Sequence, residues 1–435
     1  MEWWGYLAVI LGMLSVFFLS GLPVAFCFTL FNFIAAYFWM GGSDAFALLT
    51  VSAFSSIASF PLVAVPLFVL MGELLFQSGV VSIVLDAVGK WIGGVRGSLS
   101  YVAVVAGTLF GSMSGSAVSG VAVLGSTLAP DMRRRGYSKE LSLGPILGSG
   151  CLAMVIPPSV LAVLLGSLGQ IPVGNLLISG IVPGLMLAGA YAIHIFIRLK
   201  MDPALAPEET RSGTDAKTKL QALLSILPVM IVTLSVWGVM LFGIATPSEA
   251  AAIGVLGSLL VTAIYRRLTW RALRLALFDT VKISSMIFLI IISASAFSQI
   301  LAFTGTSAKM INFATQSGLP PWAVLVSMIA TAILLGTFLD ELALMMISIP
   351  IYMPVVKALA FDPVWFGLLM LLTLEIATIS PPYGLALFVL KGVVPEASMG
   401  DVWKASIAYM VISTLVLAII FVFPPLATWL PGLMR

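Results

Sequence analysis

The sequence predicts an all-α polytopic membrane protein built from two inverted-topology repeats, with about ten transmembrane helices and two re-entrant helical hairpins. Three observations lead to this fold class. Hydrophobic residues make up 60% of the 435 residues and charged residues only 9%, with a mean hydropathy of +1.15. A soluble domain has about 25% charged residues, so the composition excludes soluble classes. The other two observations are apolar segments along the whole chain and a repeat of their pattern in its second half.

Ten apolar segments approach or exceed the length of about 20 residues that a helix needs to cross a bilayer. They lie at about 4–20, 23–40, 61–78, 142–169, 177–199, 221–243, 248–265, 281–302, 364–391 and 404–428. An interfacial helix is one interpretation of residues 44–60. The basic residues in 266–282 indicate an amphipathic helix on the inner membrane surface.

Two further apolar segments, 97–130 and 321–358, are interrupted at their centres by small and polar residues. Each half of these segments is expected to be too short to span about 30 Å at about 1.5 Å per residue. We therefore predict a re-entrant helical hairpin in each segment.

The basic residues predict the orientation of the chain. Most of the 21 Lys and Arg residues fall in five clusters, and the ten spans place all five clusters on the same side of the membrane. The exceptions are Lys309, Lys357 and Arg435. By the positive-inside rule that side is the cytoplasm and both termini are periplasmic. The hydrophilic stretch 201–219 is then a flexible cytoplasmic linker between the first half, 1–200, and the second, 220–435. No basic leader precedes the first apolar run, so we expect no cleaved signal peptide.

Two consecutive prolines interrupt one apolar span in each half. Pro157 and Pro158 lie within 142–169, and Pro381 and Pro382 lie within 364–391. Proline removes an amide donor and clashes with the preceding turn, so both helices are predicted to break inside the bilayer. Freed backbone groups at that depth are tolerated only where they are buried in protein or line a polar cavity.

A shift of 224 positions superimposes the two halves. It aligns the spans and hairpins, and it places Pro23, Pro130, Pro157 and Pro158 on Pro247, Pro354, Pro381 and Pro382. Each half then holds five spans and one hairpin. Because five is odd, the second half enters the membrane from the opposite side. Inverted repeats with discontinuous helices at their interface recur in secondary transporters.

Each predicted hairpin carries polar residues at its centre. In the first, residues 111–120 include four serines and three glycines. These favour an oxygen-lined cation site, although Gly111 and Gly115 also match a packing face of small residues. In the second hairpin, Asp340 and Glu341 are costly at the bilayer centre unless they are paired or coordinate a cation. Asp340 also suits a helix N-cap.

Glu375 precedes the second break and is likewise costly in a span. Three roles remain open for it: a partner for freed amides, a cation or proton site, and a contact with a scaffold. Thr246 and Glu249 match a capping box at a helix start.

Enzyme classes find no support in the motifs. The sequence has no His-Glu-x-x-His and no phosphate-binding loop, and residues 111–120 contain no nucleophile elbow. The net charge of +3 follows from topology and suggests no nucleic-acid partner. Cys27 and Cys151 both lie in apolar runs, so a disulfide framework is not expected.

Several motifs together resemble the large membrane subunit of tripartite ATP-independent periplasmic (TRAP) transporters, over nearly the whole chain. They are the Phe-Pro-rich stretch 59–72, the serine-rich segment 111–120, and the segments 156–159, 336–340 and 374–384. The resemblance implies an elevator-type importer of organic acids, driven by a sodium gradient, in a bacterial or archaeal cytoplasmic membrane. It also implies two partners, a periplasmic substrate-binding protein and a small four-helix membrane subunit, which we expect to be a separate chain.

The resemblance implies two sodium sites, each between a hairpin tip and a broken helix, and no other cofactor. Carried onto this sequence, the first site comprises Ser112, Ser114, Ser116, Gly150, Cys151 and Pro157. The second comprises Gly336, Thr337, Asp340, Ala377, Thr378 and Pro381. Ser159 and Tyr383, next to the two proline pairs, are the implied substrate contacts.

Two other functions stay open at this point. A self-contained divalent-anion/sodium symporter would need no binding protein, and a channel or scaffold would not accumulate solute against a gradient. C4-dicarboxylates, sialic acids, other sugar acids and sulfonates would all suit the amide-rich ends of broken helices.

Overall fold

The computed structural model describes residues 3–207, 216–316 and 318–434, and within them it contains twenty-one α-helices and no strand. The helices are α1 (Trp3–Leu19), α2 (Val24–Trp39), α3 (Asp44–Ile57), α4 (Ala64–Gln77), α5 (Val80–Ile92), α6 (Ser98–Ser114), α7 (Ala117–Arg134), α8 (Lys139–Cys151), α9 (Val160–Gly169), α10 (Val173–Ser179), α11 (Ile181–Met201), α12 (Ala216–Leu241), α13 (Pro247–Ile264), α14 (Trp270–Phe303), α15 (Thr306–Gln316), α16 (Pro321–Gly336), α17 (Glu341–Ala358), α18 (Pro363–Thr378), α19 (Leu385–Val393), α20 (Met399–Val422) and α21 (Pro425–Thr428).

Seven helical segments of the described residues are long and apolar enough to cross a bilayer. They are Phe60–Gln77, Val173–Met201, Lys217–Leu241, Pro247–Ile264, Trp270–Phe303, Glu341–Ala358 and Met399–Val422. Six of these segments, all except Glu341–Ala358, lie in predicted spans. The other four predicted spans are occupied by α1, by α2 and by the two helices that the proline pairs interrupt. The predicted class, an all-α polytopic membrane protein, is confirmed.

Each predicted hairpin is a pair of helices joined by a short turn, α6 with α7 and α16 with α17. The expectation that each arm falls short of about 30 Å stays a prediction, although α17 is among the helices that could cross a bilayer by length and composition. Its 18 residues reach about 27 Å, and it meets the length and hydropathy of a span. Most of α17 is buried inside the protein.

Helix bounds follow the 224-residue shift closely. The shift carries both ends of α7 onto those of α17, and it carries the first residue of α8 onto that of α18. The main departure concerns the long helix α14. In the first half the equivalent stretch is interrupted around Pro61, giving α3 and α4, whereas α14 continues unbroken through 34 residues. The basic stretch 266–282 is therefore not a separate surface helix, because most of it forms the first turns of α14.

The helices that precede the two breaks lie at the centre of the protein. Every residue from Leu141 to Cys151 in α8 and from Val364 to Thr378 in α18 is buried. In contrast, α1, α12 and α20 expose large apolar side chains, as lipid-facing helices do. The polar backbone of the first break, residues 151–159, is also buried, which is where a membrane protein tolerates it.

Candidate functional site

The turn between α6 and α7 packs directly on the first break. A Cβ atom at Gly115 would lie 2.9 Å from the Pro158 carbonyl oxygen, and one at Gly120 would lie 2.7 Å from the Gly150 carbonyl oxygen. Gly115 also has a φ of 60°, a conformation that favours glycine. The small residues therefore do form a packing face, and what they pack against is the backbone of the broken helix.

Two side chains hold the backbone of the first break in place. Pro157 and Pro158 are joined by a cis peptide bond, and α9 begins two residues after Pro158. Ser159 caps α9 by accepting a hydrogen bond from the Ala162 amide at 3.2 Å, and it donates one to the Met154 carbonyl at 2.7 Å. Trp237 of α12 donates its indole N–H to the Pro157 carbonyl at 2.8 Å. The sequence carried no signal for Trp237, because this contact joins residues 80 positions apart.

The second hairpin packs on the second break in the same manner. A Cβ atom at Gly336 would lie 2.5 Å from the Cβ of Ala377, so only glycine fits without displacement. Pro381 and Pro382 also share a cis peptide bond. Thr337 and Thr378 each donate a hydroxyl hydrogen bond to a carbonyl of their own helix, at 2.7 and 2.8 Å.

Equivalent residues cap the second arm of each hairpin. Ser116 accepts a hydrogen bond from the Ser119 amide at 3.4 Å and caps α7. Asp340, which lies 224 positions later, accepts one from the Ala343 amide at 2.6 Å and caps α17. The predicted N-cap at Asp340 is thus confirmed, as is the capping box of Thr246 and Glu249.

Three helix N-termini meet at one cavity of about 200 Å³, which we call the tip cavity. These are the starts of α7, α9 and α17. The cavity is lined by Val69, Gly72, Glu73, Phe76, Phe110, Gly115, Ser116, Ala117, Ser119, Val160, Leu161, Leu164, Ile283, Met286, Ile287, Glu341 and Leu342. Helix N-termini present unpaired amides and the positive end of the helix dipole, so the cavity is suited to an anionic group.

Comparison with known proteins agrees with this architecture. The family described as "Tripartite ATP-independent periplasmic transporter, DctM component" matches residues 11–426. The chain belongs to this family. It is therefore a large TRAP subunit and a multi-pass protein of the inner membrane.

Relatives named for different solutes match nearly the full chain. A C4-dicarboxylate TRAP large permease of Pseudomonas aeruginosa is 30% identical over 89% of this chain and 90% of its own length. A sialic acid large permease of Vibrio cholerae is also 30% identical, over 98% of both chains. An ectoine large permease of Halomonas elongata is 27% identical over 95% of this chain and 96% of its own. Because these relatives are permease subunits, the prediction that the chain is not an enzyme is confirmed.

A solved structure shares the fold. The YdaH transporter of Alcanivorax borkumensis superimposes with a TM-score of 0.65 and covers 91% of each chain at 14% identity. At that identity the likeness concerns the fold alone.

The residues that the TRAP resemblance assigned to sodium fall at the two hairpin–break junctions. The side chains of Ser112 and Ser114 lie outside the described part of the structure. Cys151 is fully buried at the end of α8 and Ser116 lines the tip cavity. The sodium assignments remain predictions.

The two substrate contacts that the TRAP resemblance assigned differ in exposure. The hydroxyl of Ser159 is fully buried and is used in local hydrogen bonds. Tyr383 is 56% exposed, and its ring packs on Phe338 and Phe388. Neither residue lines the tip cavity, and both assignments remain predictions.

Glu375 has hydroxyl partners rather than the freed amides that were one interpretation of it. Tyr191 of α11 donates to Glu375 Oε1 at 2.9 Å, and Ser413 of α20 lies 3.2 Å from the same oxygen. Tyr191 and Ser413 are themselves 2.7 Å apart. Glu375 therefore connects the second broken helix by hydrogen bonds to α11 and α20 of this TRAP subunit.

Proposed function

We propose that the chain is the membrane subunit of a sodium-driven importer of an organic acid. The observation that carries this proposal is the meeting of both hairpins and the first broken helix at one cavity. Discontinuous helices at a repeat interface are the usual place where secondary transporters bind substrate and coupling ions. Large permease relatives named for C4-dicarboxylate, sialic acid and ectoine support an organic-acid solute.

The two kinds of helix end at each break suggest separate binding places for the sodium ion and for the solute. Backbone carbonyls at the end of α8 and α18 would attract sodium, while the amides that begin α7, α9 and α17 would attract a carboxylate. Sodium at the two junctions would fix each tip on its break. The amides would then be held in position before the acid group arrives, which lowers the entropic cost of binding the solute.

Movement in this proposal is of the elevator type. The hairpins and broken helices move as one body against a scaffold that includes α4, α12, α13 and α14. The hydrogen bond from Trp237 of α12 to Pro157 is a contact between the two bodies and must break during the cycle. Both termini would lie in the periplasm, as the basic clusters indicate.

The partners are proposed from family membership. A periplasmic binding protein would deliver the solute, and a small four-helix membrane subunit would complete the scaffold. A self-contained divalent-anion/sodium symporter is the alternative. Purification of the full chain with its co-expressed small subunit, followed by uptake assays with and without binding protein, separates the two possibilities.

Sodium binding can be tested without knowing the solute. The full chain in detergent should unfold at a higher temperature in sodium chloride than in potassium chloride of equal ionic strength. An ion present at 100 times its Kd stabilises by about 2.7 kcal/mol. Thr337→Ala should reduce the sodium-specific rise. Thr331→Ala is the matched control, since Thr331 makes the same kind of hydrogen bond within α16 but lies away from the turn. Equal unfolding temperatures in both salts would contradict sodium coupling.

A further inference from the structure

The wall of the tip cavity carries acidic side chains and, among the described residues, no basic one. Among the described residues that line it, none is Lys, Arg or His. Its ionisable groups are Glu73 on α4 and Glu341 at the first position of α17. Most of the remaining wall is apolar. A solute with two carboxylates would therefore find amides for one of them and no cationic side chain for the other.

Glu341 needs a hydrogen-bond donor. Its Oε2 atom is buried and has no hydrogen-bond partner among the described residues, although Glu341 lines the cavity. A buried acceptor without a donor is costly, so a bound group that donates to this atom would be stabilised there. A carboxylate or an aliphatic chain on the solute cannot donate to Glu341, whereas an ammonium or amidinium N–H can.

Glu73 is the second acidic side chain in the cavity wall. The amide nitrogen of Gln77 donates to Glu73 Oε2 at 3.2 Å and to Asp279 Oδ2 at 3.0 Å. This single amide holds two acidic side chains on neighbouring helices, α4 and α14. A carboxylate at Glu73 disfavours a second carboxylate on the solute and favours a cation, because like charges repel strongly where water is partly excluded.

We propose that the solute is a zwitterion, with one carboxylate bound by the helix N-termini and one N–H cation directed to Glu341 and Glu73. This inference rests on the proposed function and narrows its solute class. It separates the chain from permeases for C4-dicarboxylates, whose solutes carry two negative charges. The distinction lies in Glu341 and Glu73, neither of which is among the residues assigned to sodium.

Three matched probes test the charge preference. 4-Aminobutyrate, glutarate and pentanoate share a carboxylate followed by three methylenes, and they end in an ammonium, a second carboxylate and a methyl group. Binding to the full chain in detergent would be measured from the unfolding temperature against probe concentration, in sodium and in potassium. We expect 4-aminobutyrate to bind at least about tenfold more tightly than either other probe in sodium.

Substitutions locate the preference. Glu73→Gln should reduce the advantage of 4-aminobutyrate over glutarate by about tenfold. Asp86→Asn should leave the advantage unchanged, since Asp86 is exposed on α5 and lies outside the cavity wall. Equal or tighter binding of glutarate or pentanoate by the unaltered chain overturns the inference, and so does the absence of any probe binding. If the zwitterion inference fails in this way but sodium and potassium still give different unfolding temperatures, the proposed sodium coupling stands. If the two salts are indistinguishable throughout, the proposed function itself fails.

Discussion

Trp237 donates a hydrogen bond from its indole nitrogen to the carbonyl oxygen of Pro157 at 2.8 Å, which connects α12 to the first broken helix. Pro157 is one of the residues that the family resemblance assigns to the first sodium site. Since an indole N–H is a donor only, Trp237 offers the carbonyl the same electrostatic complement that a cation would offer. The contact therefore stabilises this conformation relative to any conformation in which the hydrogen bond between Trp237 and Pro157 is broken.

Trp237→Phe removes this donor and keeps most of the aromatic surface. Leaving a buried carbonyl without its partner costs about 1–3 kcal/mol, so the unfolding temperature should fall. Under the proposed elevator movement the transport rate should change, because the bond would join the moving body to the scaffold. Trp322→Phe, at a side chain that is 60% exposed, is the control for aromatic substitution. An unchanged transport rate would show that this contact does not limit the movement.

Glu375 provides a second prediction. Glu375→Gln keeps an acceptor for Tyr191 and should be tolerated, whereas Glu375→Ala leaves two buried hydroxyls dependent on each other and opens a cavity. We expect Glu375→Ala and Tyr191→Phe each to lower the free energy of unfolding by at least about 1–3 kcal/mol. Denaturant or thermal unfolding measures both. Tyr37→Phe, on an exposed tyrosine, should have no effect.

The pair of substitutions also tests whether the contact is direct. Residues that share a hydrogen bond show non-additive effects of about 0.5–3 kcal/mol in a double-mutant cycle. Strict additivity of Tyr191→Phe and Glu375→Ala would contradict the hydrogen bond between the two side chains.

Much of the architecture could be predicted because membrane burial leaves a strong signal in the sequence. The spans, both breaks and the cap at Asp340 follow from hydropathy, proline chemistry and helix-end preferences. The continuity of α14 could not be predicted from local pattern, since basic residues at the start of a long helix look like a separate surface helix. Its equivalent in the first half is interrupted near Pro61, and the second half has no proline there.

The contacts that define the candidate site were mostly beyond prediction. Trp237 and Pro157, or Tyr191 and Glu375, are far apart in sequence and meet only in the folded protein. Glu73 was visible as an acid near a span end, but only the structure places it in the same wall as Glu341. Sequence pattern locates segments well, whereas side-chain partners depend on how the segments pack.

The close packing at the second junction gives a third prediction. Gly336→Ala would place a methyl group 2.5 Å from the Cβ of Ala377 and force the tip away from the broken helix. Overpacking of this kind costs about 1–3 kcal/mol and should also weaken the sodium response. Gly189→Ala is a matched control, because nothing lies within 4 Å of a Cβ at that helical position. It should be neutral or stabilising by up to about 1 kcal/mol. A Gly336→Ala protein with normal stability and normal sodium response would show that the junction is looser than its geometry indicates.

Asp340 allows capping to be separated from cation binding. Asparagine caps a helix about as well as aspartate, so Asp340→Asn should leave stability in potassium within about 0.5 kcal/mol of the unaltered chain. If the carboxylate contributes to a sodium site, the sodium-specific rise in unfolding temperature should shrink or require higher sodium concentrations. Asp362→Asn is the matched control. Asp362 caps α18 with hydrogen bonds of 2.7 and 3.0 Å but lies at the opposite end of that helix from the break. A sodium response that survives Asp340→Asn would assign Asp340 to capping alone and leave the second site to backbone carbonyls.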